Sequence, residues 1–158
     1  MSRITPNLWF DHNAEEAAEF YVSIFPDSRI DHVVQAPTDN PSTAKGEVIL
    51  VEFTLRGQAF VGINGGPRFP FTEAVSFAIE CEDQAEVDRY WELLTSGGGS
   101  PSRCGWCKDR FGLSWQVTPR RLIELMHSAD GAAAERAMKA MLQMDKIDIA
   151  ALEAAAQG

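Results

Sequence analysis

Asn7-Leu8-Trp9-Phe10, followed by Asn13 and by Ala14-Glu15-Glu16-Ala17-Ala18-Glu19-Phe20-Tyr21, is the stretch from which the fold can be read, because it recurs. At one constant offset, Phe77-Ala78-Ile79-Glu80, Asp83 and Gln84-Ala85-Glu86-Val87-Asp88-Arg89-Tyr90-Trp91 repeat its order of strand, cap and helix. A short polar residue stands at each cap position, where its oxygen can accept from the first free amides of the helix. Ala17, Phe20, Tyr21 and Ile24 are answered by Val87, Tyr90, Trp91 and Leu94. That spacing of three and four residues keeps an apolar stripe on one helix face. Any two amphipathic helices look alike, but a strand and a cap that recur with the helix point to duplication.

Outward from these helices, strand-like segments follow in the same order. Pro26-Asp27-Ser28 breaks the first helix, 29–35 reads as a strand, and 36–46 is a polar loop. Residues 47–55 form a further strand, Arg56-Gly57-Gln58 a tight turn and 59–64 the hairpin partner, with Asn64-Gly65-Gly66-Pro67 closing the unit. In the second unit Gly97-Gly98-Gly99-Ser100-Pro101 stops the helix, a strand runs near 104–108, a turn spans 109–112, and 113–118 is the last strand. Two βαβββ modules, 1–66 and 72–120, are predicted, with a helical tail over 130–157, all in one domain spanning 1–158. The expected class is α+β. Within the tail, 132–142 is rich in helix formers and Asp148 caps a helix over 149–156. Strand alternation assigns Trp9, Ile79, Trp115 and Val117 to the helix-covered face, and Leu8, Phe10, Ala78, Ser114, Gln116 and Thr118 to the opposite one.

Composition narrows the function classes. The 158 residues hold 14 Lys+Arg against 23 Asp+Glu, a formal charge of −9. Such a field repels phosphate backbones and anionic membrane surfaces, so neither nucleic acid nor membrane is an expected partner. No apolar run approaches the ~18 residues of a membrane span. The first residues lack the apolar core of a secretory signal, which makes the cytoplasm the expected compartment. Three cysteines do not suggest a disulfide framework.

Paired βαβββ modules, Asn13-Ala14-Glu15-Glu16-Ala17 with its Phe20-Tyr21 pair, the Asn64-Gly65-Gly66-Pro67 junction, Asp109-Arg110-Phe111-Gly112-Leu113-Ser114-Trp115-Gln116, and Met144-Asp145-Lys146-Ile147-Asp148-Ile149 together resemble the PhnB-like branch of the vicinal-oxygen-chelate superfamily. This branch is often labelled demethylubiquinone-methyltransferase-like, and its relatives include glyoxalase I, bleomycin-resistance proteins and extradiol dioxygenases. The resemblance implies an incomplete barrel in each half, a ligand on the concave face, and a homodimer. It also implies metal-ligand positions falling on Pro6, Val61, Ser76 and Gln116. Of these only Gln116 carries a plausible ligand atom, since Pro and Val donate nothing and Zn²⁺ favours His, Cys and carboxylate. Asn7, Asn64 and Thr118, one or two residues away in register, are weak donors too. His12, His32 and His127 lack metal-binding spacing. No cofactor is expected, and a divalent metal finds no support in the ligand positions.

Glu52 shares a strand face with Val48, Leu50 and Thr54, where burial would favour general-base duty. Glu52 and Gln116 are the candidate catalytic groups, and Phe10, Asn64 and Ser114 the candidate ligand contacts. The alternative for Glu52 is an exposed edge carboxylate. Methyl transfer would call for a glycine-rich turn between strand and helix. Gly65-Gly66 instead leads to Pro67, and Gly97-Gly98-Gly99 follows a helix. Cys104-Gly105-Trp106-Cys107 has the spacing of a redox dithiol but no following helix to depress a thiol pKa, so packing as small apolar residues is the favoured reading. Two classes remain: a binder of a small organic molecule, and a lyase, isomerase or oxygenase using a metal or a carboxylate base.

Overall fold

The computed structural model describes Ile4 to Gly158. The chain divides into two compact units, Met1–Phe71 and Thr72–Gly158. In the first, β1 (Asn7–Phe10), α1 (Ala14–Ile24), β2 (Arg29–Gln35), β3 (Val48–Leu55) and β4 (Gln58–Asn64) form one helix on a four-stranded sheet of order β1-β4-β3-β2. In the second, β5 (Ser76–Cys81), α2 (Gln84–Thr95), β6 (Ser100–Pro101), β7 (Trp106–Lys108) and β8 (Ser114–Pro119) repeat the permutation as β5-β8-β7-β6. In each sheet the first strand runs parallel to the fourth, and the remaining pairs are antiparallel. The expected α+β class and βαβββ order are present, and neither sheet closes into a barrel.

The first core lies between α1 and its sheet. Tyr21 stacks on Phe53 and Phe53 on Phe60, with ring centroids 6.2 and 5.5 Å apart, a geometry that adds to the large area such rings bury. Asn13 precedes α1 as expected, but its side chain makes no cap. The Asn64 Oδ1 at the end of β4 instead accepts from the Ala14 amide at 2.9 Å, while its Nδ2 donates to the Val48 carbonyl. Beside it, a Cβ on Gly65 would lie 2.1 Å from the Trp9 indole, and the Trp9 Nε1 donates to the Gly66 carbonyl at 2.9 Å.

The strand faces of the first unit correct the expected alternation. Leu8 and Phe10 are buried, and the Phe10 ring and Ala14 both crowd Gly62, so these residues lie under α1. Trp9 lies on the far face. The connection explains the reversal: three residues, 11–13, join β1 to α1, whereas two, 82–83, join β5 to α2. The additional residue is accommodated with His12 at φ +62°, a left-handed conformation uncommon outside glycine. Alternation holds in the second unit, where Ile79, Trp115 and Val117 are buried with Val87, Tyr90 and Leu94 of α2.

Asp83 caps α2 as expected, accepting from the Glu86 amide. Asp109, 2% exposed, folds the turn between β7 and β8. Its carboxylate accepts from the amides of Phe111 and Leu113 and from the Trp115 indole at 2.8 Å. Two elements go beyond the expectation: β6 lies within the glycine-proline stop, and α3 (Arg120–Met126) follows β8 directly. With α4 (Gly131–Met141) and α5 (Ile149–Gln157), α3 encloses a small core of Leu122, Leu125, Ala137, Ile147 and Leu152. This tail is fastened to the second unit. The Gln84 side chain donates to the Ile147 carbonyl and accepts from the Ile149 amide, and the Cys104 and Gly105 amides donate to the carbonyls of Met144 and Asp145.

Cys107 is buried beside Asp109. Burial first, and the Asp109 charge second, push its thiol up to about 12, so its thiolate fraction at pH 8 is roughly one in ten thousand. That environment opposes redox duty for the Cys-x-x-Cys pair. Thiol titration of native protein at pH 8 should modify Cys104 while Cys107 and buried Cys81 react only on unfolding; rapid reaction of Cys107 would contradict this packing. Asn64→Ala removes the hydrogen bonds that Asn64 makes to the Ala14 amide and the Val48 carbonyl. It should lower the unfolding free energy in urea by about 1–3 kcal/mol, and Asn64→Asp should not restore it, because a carboxylate offers the Val48 carbonyl no donor.

Candidate functional site

With one face of each sheet covered by its helix, the far face is the candidate surface for a ligand. In the first unit β2 lies opposite β3 with Arg29 facing Thr54 and His32 facing Glu52, and a bulge at Asp31 interrupts the register. A bulge re-aims the side chain it carries, and Asp31 is brought against Thr54. The Thr54 hydroxyl donates to Asp31 Oδ2 at 2.6 Å, and Arg29 Nε donates to Oδ1 at 2.7 Å. The Thr54 hydrogen bond leads in holding the Asp31 carboxyl below its usual range, with Arg29 adding to it, so Asp31 is a carboxylate at neutral pH. Asp31, His32, Glu52, Thr54 and Val61 line a cavity of about 270 Å³. The half-buried Glu52 thus occupies the cavity wall that alternation along β3 assigns to it.

The far face of the second unit carries Gln116, Ser114, Trp106 and Lys108. Trp106 pairs with Gln116 and Lys108 with Ser114 across β7 and β8. Gln116 Nε2 donates to Ser76 Oγ at 2.8 Å, linking β8 to β5. Ser114 is buried, and its hydroxyl has no hydrogen-bond partner among the described residues. A cavity of about 200 Å³ is lined by Ser100, Trp106, Lys108 and Ser114 among others.

Of the five expected site residues, Glu52 lies on the first unit's far face and Ser114 and Gln116 on the second's. Phe10 and Asn64 lie under α1, where Phe10 packs and both polar ends of Asn64 are engaged by backbone. Sequence reasoning missed Arg29, Asp31 and Lys108. For Lys108 the signal was present in its alternation with Trp106; for Asp31 the bulge hid it.

The metal positions implied by the resemblance can be tested on donor chemistry. Pro6 and Val61 are neighbours, since the Val61 amide donates to the Pro6 carbonyl, but neither side chain has a ligand atom. Ser76 and Gln116 hydrogen-bond to one another. An amide, a hydroxyl and two aliphatic side chains do not fit a divalent ion that selects imidazole and carboxylate. Among the described residues, no group of three or more His, Cys, Asp or Glu is placed to hold a metal. The glycine-rich segments 65–66 and 97–99 do not lead from a strand into a helix, which is the turn expected for a methyl-donor site in a doubly wound sheet. No helix among the described residues is long and apolar enough to cross a membrane.

The family model described as 3-demethylubiquinone-9 3-methyltransferase matches residues 2–118. The tail helices α3, α4 and α5 therefore lie beyond the match. A solved structure from Bacillus cereus, a PhnB protein carrying the same methyltransferase label, is 34% identical with a TM-score of 0.67, covering 75% of this chain and 99% of its own. The protein PA1353 from Pseudomonas aeruginosa is 22% identical with a TM-score of 0.60, covering 75% of this chain and 98% of that one. The fosfomycin resistance protein FosX from Listeria monocytogenes shares the fold at 16% identity and a TM-score of 0.50, with coverages of 75% and 93%. No curated protein matches the chain. A match through both βαβββ units, joined to two sheets of identical permutation, places this chain in the PhnB-like family described as 3-demethylubiquinone-9 3-methyltransferase.

Proposed function

We propose that the chain binds a small organic molecule on the far faces of its sheets, without a resident metal and without methyl transfer. The observation that carries this is the first unit's cavity, where Glu52 shares a wall with an ordered Arg29–Asp31–Thr54 chain. A concave, partly apolar site with a few fixed polar groups is the usual form of a small-molecule pocket. The unsuitable donors at Pro6, Val61, Ser76 and Gln116 support recognition by hydrogen bonds rather than by chelation. Gln116 is proposed to contribute a polar contact on the second unit's far face, beside Ser114. A cytoplasmic homodimer is the setting we propose from the family resemblance.

A second reading has one observation in its favour: Glu52 is half-buried in the cavity, with His32 opposite it on β2. A carboxylate in that position could abstract a proton from a bound molecule if desolvated on binding, giving a metal-free lyase or isomerase.

Ligand-observed NMR with uncharged phenols and heteroaromatic fragments should detect binding that Glu52→Gln weakens by about tenfold, equivalent to about 1.4 kcal/mol, with the unfolding midpoint retained. Binding untouched by Glu52→Gln would remove this cavity from the function. Metal analysis of protein purified without chelator should give well under one divalent ion per chain. A stoichiometric ion whose removal abolishes fragment binding would overturn the metal-free reading.

A further inference from the structure

The second unit's far face holds a polar group that its own fold leaves unanswered. Ser114 is 1% exposed and its hydroxyl has no hydrogen-bond partner among the described residues, whereas buried hydroxyls in native proteins nearly always have one. Burying such a donor unpaired sacrifices its hydration with nothing in exchange. The register of β7 and β8 sets Lys108 directly opposite Ser114, so the ammonium stem and the hydroxyl project from neighbouring strands on one face. Both line the cavity of about 200 Å³, together with Glu73, Ser100, Ser102 and Trp106.

Lys108 is already engaged. Its ammonium forms an ion pair with Glu73, on the turn that precedes β5. The Lys108 hydrogen bond is the leading cause holding the Glu73 carboxyl below its usual range. The pair is nonetheless weakly held, because its side chains are 38% and 62% exposed and water screens such contacts. A carboxylate arriving from solution could keep the charge contact with Lys108 and add the hydrogen bond from Ser114 that Glu73 does not make. Charge-assisted hydrogen bonds of this kind are the strong ones.

We propose that this cavity takes a small monocarboxylate, gripped by Lys108 and Ser114, with Glu73 as an internal competitor that occupies the ammonium until the ligand displaces it. The proposal rests on the reading that the far faces take small organic molecules, and it names the class for one of them. Among the described residues that line the cavity, Lys108 is the one cation, which matches a single negative charge better than a phosphate dianion. Trp106 offers an apolar wall to the rest of the ligand.

The test is an NMR titration of the full chain with acetate, benzoate and inorganic phosphate at fixed ionic strength. Benzoate should saturate a site that moves the Trp106 indole and Ser114 amide signals. Glu73→Gln should tighten it and Lys108→Met weaken it, each by about tenfold. Ser114→Ala should weaken binding several-fold while leaving the thermal midpoint unchanged or raised, because its hydroxyl has no partner to lose; a purely structural Ser114 would not couple to benzoate. Unchanged or weaker affinity in Glu73→Gln, or tighter binding of phosphate than of benzoate, overturns the proposal. If carboxylates fail while phenols still bind at the Glu52 cavity, this proposal falls alone; if neither class binds, the wider reading falls with it.

Discussion

A single side-chain amide fixes where the first helix begins and, through that, which face of the first sheet remains for chemistry. Asn64 stands at the end of β4 and reaches the first amide of α1 with one end and the Val48 carbonyl with the other. Two backbone groups that burial would otherwise leave unpaired are satisfied at once, so the start of the helix and the ends of two strands move as one piece. Gly65 and Gly66 extend the joint. The first leaves room for the Trp9 indole, and the second supplies the carbonyl that receives it. Once α1 is pinned over Leu8, Phe10, Phe53 and Phe60, the polar chain of Arg29, Asp31 and Thr54 can only lie opposite.

The second unit reaches the same layout by different means. Asp83 caps α2 locally, and the stiff point moves to Asp109, whose carboxylate gathers two turn amides and the Trp115 indole. The two most recognisable anchors, Asn64-Gly65-Gly66 and the Asp109–Trp115 pair, are therefore architectural. They hold a sheet to its helix or a hairpin to its turn, and they say where a ligand site can be without forming it.

This division explains what could be read from the sequence. Helix periodicity and the recurring strand are local signals, so the βαβββ order and the helices near 132–142 and 149–156 were legible. β6 was not, because two residues ending in proline carry no alternation. Neither was α3, which begins straight after Pro119, an N-cap residue whose side chain makes no capping hydrogen bond. The cap of α1 escaped because the residue that makes it is distant in sequence, while Asn13 beside it carries the right chemistry in an unused position. On the far faces, the positions of Glu52, Ser114 and Gln116 follow from simple alternation. Asp31 does not, since a bulge has no signature in residue type, and the isolation of the Ser114 hydroxyl depends on packing that no pattern of spacing encodes.

The unequal strand-to-helix connections have a consequence for any attempt to recombine the halves. Duplicated modules invite exchange at matching positions, yet the longer link at His12 turns the first strand over relative to its counterpart. A chimaera joined at the helix-aligned offset would bring polar side chains beneath the helix and expose aromatic ones. Shuffling of such modules can succeed only when the link travels with its strand, which makes the loop, rather than the helix or the sheet, the heritable unit of orientation.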